Sequence, residues 1–132
     1  MADKIAFELV SPDHLLISED VDMIVIPGGE GDFGVLVGHQ PMISTVRPGI
    51  LEVENAGAEN RRIFVNGGFA EITGDRCAVM TEEAVPVEEL DRANLEQRIK
   101  DAEEDIQEAR SDLERHLIDL KLSTLREMLQ VV

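Results

Sequence analysis

Ala84-Val-Pro-Val-Glu-Glu-Leu-Asp-Arg-Ala-Asn-Leu-Glu-Gln-Arg-Ile99 is the stretch in which the sequence changes character. All ten glycines and all five prolines of the 132 residues lie between Pro12 and Pro86, and the residues from Val87 to Val132 contain neither. Glycine supplies turn conformations and proline removes a backbone donor, so both punctuate a sequence and interrupt helices. The front, residues 1–86, is therefore expected to be a turn-rich domain. The tail, residues 87–132, is expected to be an uninterrupted helical appendage.

Beyond Val87 the apolar period changes from 2 to 3.6 residues. Leu95, Ile99, Ala102, Ile106 and Ala109 recur at spacings of 4, 3, 4 and 3, a narrow seam on one side of a helix. Ser111-Asp-Leu-Glu114 then fits a capping box, with a serine able to cap and a glutamate three residues on. This places a break between two helices near residues 109–112. In the second helix Leu113, Leu117, Leu120 and Met128 form one stripe, and Ile118, Leu122, Leu125 and Leu129 form another. Together they cover more of the circumference than one narrow partner helix hides. At about 1.5–3 kcal/mol per fully buried Leu or Ile, the surplus decides where such a helix rests. The seam also continues through Ala109 to Leu113 and Leu117 without a slip in phase. A folded hairpin and an extended rod are both compatible with that pattern.

The front reads as short strands between turn signals. Ile5-Ala-Phe-Glu-Leu-Val10, Leu15-Leu-Ile17, Val21-Asp-Met-Ile-Val-Ile26, Val35-Leu-Val37 and Met42-Ile-Ser-Thr-Val46 come first. Ile50-Leu-Glu-Val53, Arg62-Ile-Phe-Val65, Phe69-Ala-Glu-Ile72 and Cys77-Ala-Val-Met80 follow. Strands of this length, with a turn every several residues, indicate an all-β sandwich or barrel. Gly74-Asp75 suits a two-residue hairpin, Asn66-Gly67-Gly68 a turn or bulge, and the residues from Asn55 to Asn60 a polar hairpin loop.

Composition narrows the function. The net charge is −16, with 15 acidic and 5 basic residues in the front and 13 and 7 in the tail. A nucleic-acid surface needs an excess of Lys and Arg, and direct adhesion to anionic lipid needs the same. The absence of Trp and Tyr, with only four Phe, argues against base-stacking or sugar-binding platforms. The single cysteine, Cys77, leaves no disulfide framework and reads as an inert core residue. No apolar run approaches the length of a membrane span, and Met1-Ala-Asp-Lys lacks the pattern of a signal peptide.

Gly29-Glu-Gly-Asp-Phe-Gly34 matches the letters of a dinucleotide fingerprint, but β-prone residues ending at Pro41 follow it where a helix is required. It reads as a glycine-rich loop between strands. His14, His39 and His116 are scattered without metal-ligand spacing, and His39 is expected to make a structural hydrogen bond. Ser11, Ser18 and Ser44 lack a nucleophile-elbow context. No catalytic set, metal site or cofactor is expected.

One segment is far more specific. Ile26-Pro-Gly-Gly-Glu-Gly-Asp-Phe-Gly-Val-Leu-Val-Gly-His-Gln-Pro-Met-Ile-Ser-Thr-Val-Arg-Pro-Gly-Ile-Leu51 resembles the signature of the epsilon subunit of the F-type ATP synthase. Val65-Asn-Gly-Gly-Phe-Ala-Glu-Ile72 resembles that family's second glycine motif, and Phe7-Glu-Leu-Val-Ser-Pro12 its opening. The resemblance spans all of the sequence. It implies an α+β fold: a flattened β-sandwich of about ten strands followed by an antiparallel two-helix hairpin. It further implies a non-catalytic rotor subunit that helps couple proton passage to ATP synthesis. The implied partners are the gamma subunit, the ring of c subunits and, through the tail, the alpha/beta catalytic head. The implied location is peripheral, on the cytoplasmic side of a bacterial plasma membrane.

Carried over by position, Glu30, Gly31, Asp32 and Phe33, with His39, Pro41 and Met42, fall where the family's sandwich meets the c ring. Arg110, Arg115, Lys121 and Arg126 fall where the tail of many bacterial members meets the head and restrains hydrolysis. Arg115 is equally an ordinary helical partner for Asp112 or Asp119. Some members bind ATP through Leu/Ile-Asp-x-x-Arg-Ala. Here Asp91 is followed at once by Arg92-Ala93, two positions early, which turns the arginine by about 200° around a helix and disfavours nucleotide binding at Asp91 and Arg92. The reading from another class is a free-standing ligand-binding β-sandwich with an oligomerising tail.

Overall fold

The computed structural model describes residues 3–132. Two compact units divide it between Pro86 and Val87.

The first unit contains ten strands: β1 (Ile5–Val10), β2 (Leu15–Val21), β3 (Met23–Gly28), β4 (Gly31–Val35), β5 (Met42–Val46), β6 (Gly49–Glu54), β7 (Arg61–Val65), β8 (Gly68–Ile72), β9 (Arg76–Met80) and β10 (Ala84–Pro86). Their hydrogen-bonded order is β10-β7-β6-β3-β5-β8-β9-β1-β2, with β4 paired to β3. β1 and β9 run parallel, whereas the other pairs are antiparallel. β3 and β5 share only one registered pair, Gly28 with Val46. This narrow seam joins the two halves of the path, which face each other as the layers of the ten-stranded sandwich.

Alternation builds the core. Ile5, Phe7 and Leu9 of β1, Ile24 and Ile26 of β3, Leu51 and Val53 of β6, and Cys77 and Val79 of β9 point inward at period two. They belong to one cluster of buried apolar side chains.

Three strand boundaries differ from expectation. The run from Val21 to Ile26 is two strands, because Val21 closes β2 and Met23 opens β3. Val21 and Ile24 are both fully buried at an odd spacing, which a single alternating strand cannot provide. Asp22 occupies the corner: its N–H donates to the Glu54 carbonyl at 3.1 Å, and its carboxylate accepts from Ala56 N–H at 2.5 Å. The glycine-rich loop is a hairpin, since Gly28 pairs with Gly31 and Ile26 with Phe33. Val35 ends β4, and Leu36 and Val37 lie exposed in the following turn rather than in a strand. β10 is the strand without a sequence expectation of its own. It is three residues long and lies at one end of the path, where Pro86 is tolerated.

The residues from Asn66 to Gly68 turn the backbone from β7 to β8. Gly68 has φ +122°, and a Cβ there would run into the Met80 carbonyl on β9, so only glycine fits. The expected hairpin at Gly74-Asp75 is present, with Thr73 N–H donating to the Arg76 carbonyl at 2.8 Å.

The second unit begins with a single 3-10 turn (Val87–Glu89), followed by α1 (Arg92–Gln107) and α2 (Asp112–Gln130). Asp91 caps α1 by accepting from Ala93 N–H at 3.0 Å. Ser111 caps α2 by accepting from Glu114 N–H at 3.1 Å. Glu114 reaches back to Arg110 N–H at 3.1 Å, completing a capping box displaced by one residue. The helices pack against each other. Arg92 Nη2 donates to the Val132 carbonyl at 2.9 Å, which sets the start of α1 beside the end of α2 and makes the pair antiparallel.

Leu95 and Ala102 of α1 and Leu122, Leu125 and Met128 of α2 are buried. Met128 thus joins Leu122 and Leu125 at i, i+3 spacing rather than the Leu113 stripe. Leu113, Leu117 and Leu120 remain 68%, 57% and 53% exposed, so the surplus apolar face is real. Among the described residues, no helix is long and apolar enough to cross a membrane.

Candidate functional site

The β3–β4 hairpin and the turn after β4 converge on one open cleft of about 520 Å³. Glu30, Gly31, Asp32, Phe33, His39 and Met42 line it together with residues of β5. Six of the seven residues expected at the ring are therefore neighbours in space, although twelve positions separate the first from the last. Pro41 is exposed but does not line the cleft.

Local chemistry explains the convergence. Gly29 N–H donates to the Thr45 carbonyl at 3.0 Å, and a Cβ on Gly29 would collide with the Thr45 hydroxyl. The hairpin can approach β5 this closely only because Gly29 has no side chain. His39 is held by its backbone, its N–H donating to the Leu36 carbonyl at 3.1 Å, while Gly38 N–H donates to the Gly74 carbonyl at 2.6 Å. The His39 ring places Nδ1 2.7 Å from the Gln40 carbonyl and lies 6.5 Å from the Phe33 ring, tilted by 38°. The expected structural hydrogen bond of His39 is thus present.

The two acids of the hairpin differ. Asp32 is paired with Arg47 at 2.5 Å. Glu30 is exposed and has no ion pair among the described residues. Ile43, which is 75% exposed on β5, also borders the cleft. Neither Ile43 nor Arg47 stood out in the sequence. Strand alternation, with Val46 inward, was the one available sign that Ile43 faces out.

Ile43 is not isolated. Thr45 pairs with Phe69 on β8, and Phe69 pairs with Met80 on β9. Ile43, Phe69 and Met80 lie on the outer face of these strands at 75%, 56% and 43% exposure. A clustered apolar surface of this kind marks an interaction face rather than ordinary scatter.

The tail residues are not drawn into one site. Arg115 donates to Asp112 at 2.6 Å and to the Ala109 carbonyl at 3.4 Å. Lys121 and Arg126 are exposed, as is Arg110 just before α2. At 100° per residue, Arg115 and Arg126 lie about 20° apart around α2, and Lys121 lies across the helix from them. Asp91 serves as a helix cap, while Arg92 is held by Val132 and pairs with Glu96 at 3.9 Å.

Among the described residues, no three His, Cys, Asp or Glu side chains are placed to hold a metal ion. His14 and His116 are exposed and far apart in sequence. Cys77 is fully buried, and burial pushes its thiol up to about 12. It therefore stays protonated and unreactive at neutral pH.

The described residues thus form a ten-stranded β-sandwich followed by a helical hairpin, with an acidic glycine-rich hairpin beside a histidine turn. Residues 4–87 match the family described as ATP synthase, Delta/Epsilon chain, beta-sandwich domain. Residues 91–132 match the C-terminal domain of the ATP synthase epsilon subunit family. The ATP synthase epsilon chain of Rhodospirillum centenum is 52% identical over 137 residues, covering 100% of this protein and 94% of the relative. That of Parvibaculum lavamentivorans is 49% identical over 132 residues, covering 100% of both. A subunit in the Euglena gracilis mitochondrial ATP synthase, solved as OSCP/F1/c-ring, superposes with a TM-score of 0.80 at 30% identity. The match covers 97% of this protein and 81% of that subunit. A subunit of the Tetrahymena thermophila mitochondrial enzyme shares the fold at 13% identity, with a TM-score of 0.66 and coverage of 98% and 96%. This chain belongs to the family of ATP synthase epsilon subunits.

Proposed function

We propose that this protein is a non-catalytic rotor subunit in the central stalk of a bacterial ATP synthase. It joins the gamma subunit to the c-subunit ring, on the cytoplasmic side of the plasma membrane, and helps transmit proton-driven rotation. Residues 1–86 serve as the attachment unit. Residues 87–132 serve as a regulatory tail that restrains ATP hydrolysis by reaching the alpha/beta head. Family membership supports this reading, and a free-standing ligand-binding protein is disfavoured by the same relationship.

The observation that carries the attachment is the gathering of the Glu30 hairpin and the His39 turn around one open cleft. A glycine-flanked acid exposed at a hairpin tip suits a basic or polar loop of a ring. The apolar outer face bearing Ile43, Phe69 and Met80 suits a permanent partner, and gamma is assigned there. Arg110, Arg115, Lys121 and Arg126 are the cations offered to the head, with Arg115 first having to leave Asp112. Asp91 and Arg92 are committed to capping and to the end of α2, which disfavours a nucleotide role.

Membrane vesicles carrying the assembled complex test both assignments. Glu30→Lys is expected to lower ATP-driven proton pumping while hydrolysis persists; unchanged pumping removes the ring contact. Deletion of the residues after Val87 is expected to raise hydrolysis and spare synthesis. Unchanged hydrolysis makes the tail passive.

A further inference from the structure

The β3–β4 hairpin is tied on both of its strands by one side chain. Arg47 Nη1 donates to the Gly28 carbonyl on β3 at 2.6 Å, and Nη2 donates to the Asp32 carboxylate on β4 at 2.5 Å. The backbone of the same residue also engages β3, with Arg47 N–H donating to the Pro27 carbonyl at 2.9 Å. These bonds flank the pairing of Gly28 with Val46, the one registered contact between β3 and β5. Glu30 stands at the hairpin tip, between the two tied positions.

We propose that Arg47 is the positioning residue of this hairpin. It takes Asp32 as an internal tie, leaving Glu30 as the acid presented to the partner. The inference deepens the ring-attachment reading and rests on it for its functional half. It also reassigns Asp32 from a partner contact to an anchor.

Geometry carries the argument more than charge does. The Arg47 and Asp32 side chains are 43% and 59% exposed, and an ion pair that open contributes little by itself. The hairpin contains Gly28, Gly29 and Gly31, so its backbone is intrinsically loose. A planar guanidinium fixes two acceptors at once in defined directions. Here the two acceptors sit on opposite strands of the turn, so one fork removes freedom from both. An ammonium in its place keeps the charge and loses the fork.

The test uses the full-length protein with two readouts. In the isolated protein, 15N relaxation reads the order of the Glu30 and Gly31 amides. The order parameter is expected to fall from about 0.85 to below about 0.6 in Arg47→Ala and Asp32→Asn, with no further fall in the double variant. Arg47→Lys should lie between and serves if Arg47→Ala does not fold. In vesicles with the assembled complex, the same variants should lose coupled proton pumping in the same rank order. Glu30→Lys should lose pumping with the hairpin still ordered.

An unchanged order parameter in both Arg47 variants overturns the proposal. So does a pumping loss in Asp32→Asn with an ordered hairpin, which would make Asp32 the direct contact. A loosened hairpin with normal pumping in the Arg47 variants overturns the functional half if Glu30→Lys loses pumping. If Glu30→Lys pumps normally, the ring-contact reading fails, and the order parameters still decide the role of Arg47.

Discussion

The sandwich and the helical hairpin handle apolar surface in opposite ways. In the sandwich, inward residues from nine strands converge on one cluster, and Phe7, Ile5, Ile24 and Val35 are fully buried. In the hairpin, five side chains are buried, and a stripe of three leucines on α2 stays in water. A sheet ladder cannot open at one place without breaking long-range pairs. Two helices joined by a four-residue connection hold each other through a few side chains and local caps. The lesson is that the two units rest on different interactions: the first on long-range strand pairs around a shared core, the second on local caps and a few side chains between helices.

The comparison breaks most visibly at Phe7. Phe7→Ala empties the centre of the sandwich and is expected to cost about 3–5 kcal/mol, read as a lower urea midpoint. A loss below about 1 kcal/mol would mean that the core is not the tight element described.

A smaller effect is expected at Ser111. Ser111→Ala removes the α2 cap and should cost about 1 kcal/mol in the helical unit. Far-UV circular dichroism should show earlier loss of helix, with the Phe7 environment unchanged by NMR. An equal shift of both would show that the two units melt as one body.

The smallest effect is expected at Leu117. Leu117→Gln should change stability by no more than about 0.5 kcal/mol, because this side chain lies exposed in the free protein. A larger loss in chemical denaturation would show that the α2 stripe is already covered in solution.

Much of this was legible in local pattern. The positions of Gly and Pro, the change of period after Val87, and Ser111 ahead of Glu114 each act within a few residues. They implied short strands in front and two helices behind, the second capped at Ser111, as the structure has them. The segment from Ile26 to Leu51 also carried the family. Strand limits were less legible where two signals overlapped. Val21 and Met23 look like one apolar run, yet Asp22 turns the backbone between them, because its carboxylate finds Ala56 N–H 34 positions away. The seven residues expected at the ring were legible by resemblance alone, and six of them line the cleft. Nothing local says that the Glu30 hairpin and the His39 turn share one cleft.

By itself the sequence determined which segments extend, which coil, where they turn and which family they join, since those outcomes follow from dihedral preference and side-chain period. The tertiary structure alone decided that β1 lies parallel to β9, and that β3 and β5 share a single registered pair. It also decided that Asp32 is held by Arg47 while Glu30 has no ion pair among the described residues. These outcomes depend on which distant backbone donors and acceptors meet once the core has closed, and no short window of residues contains that information.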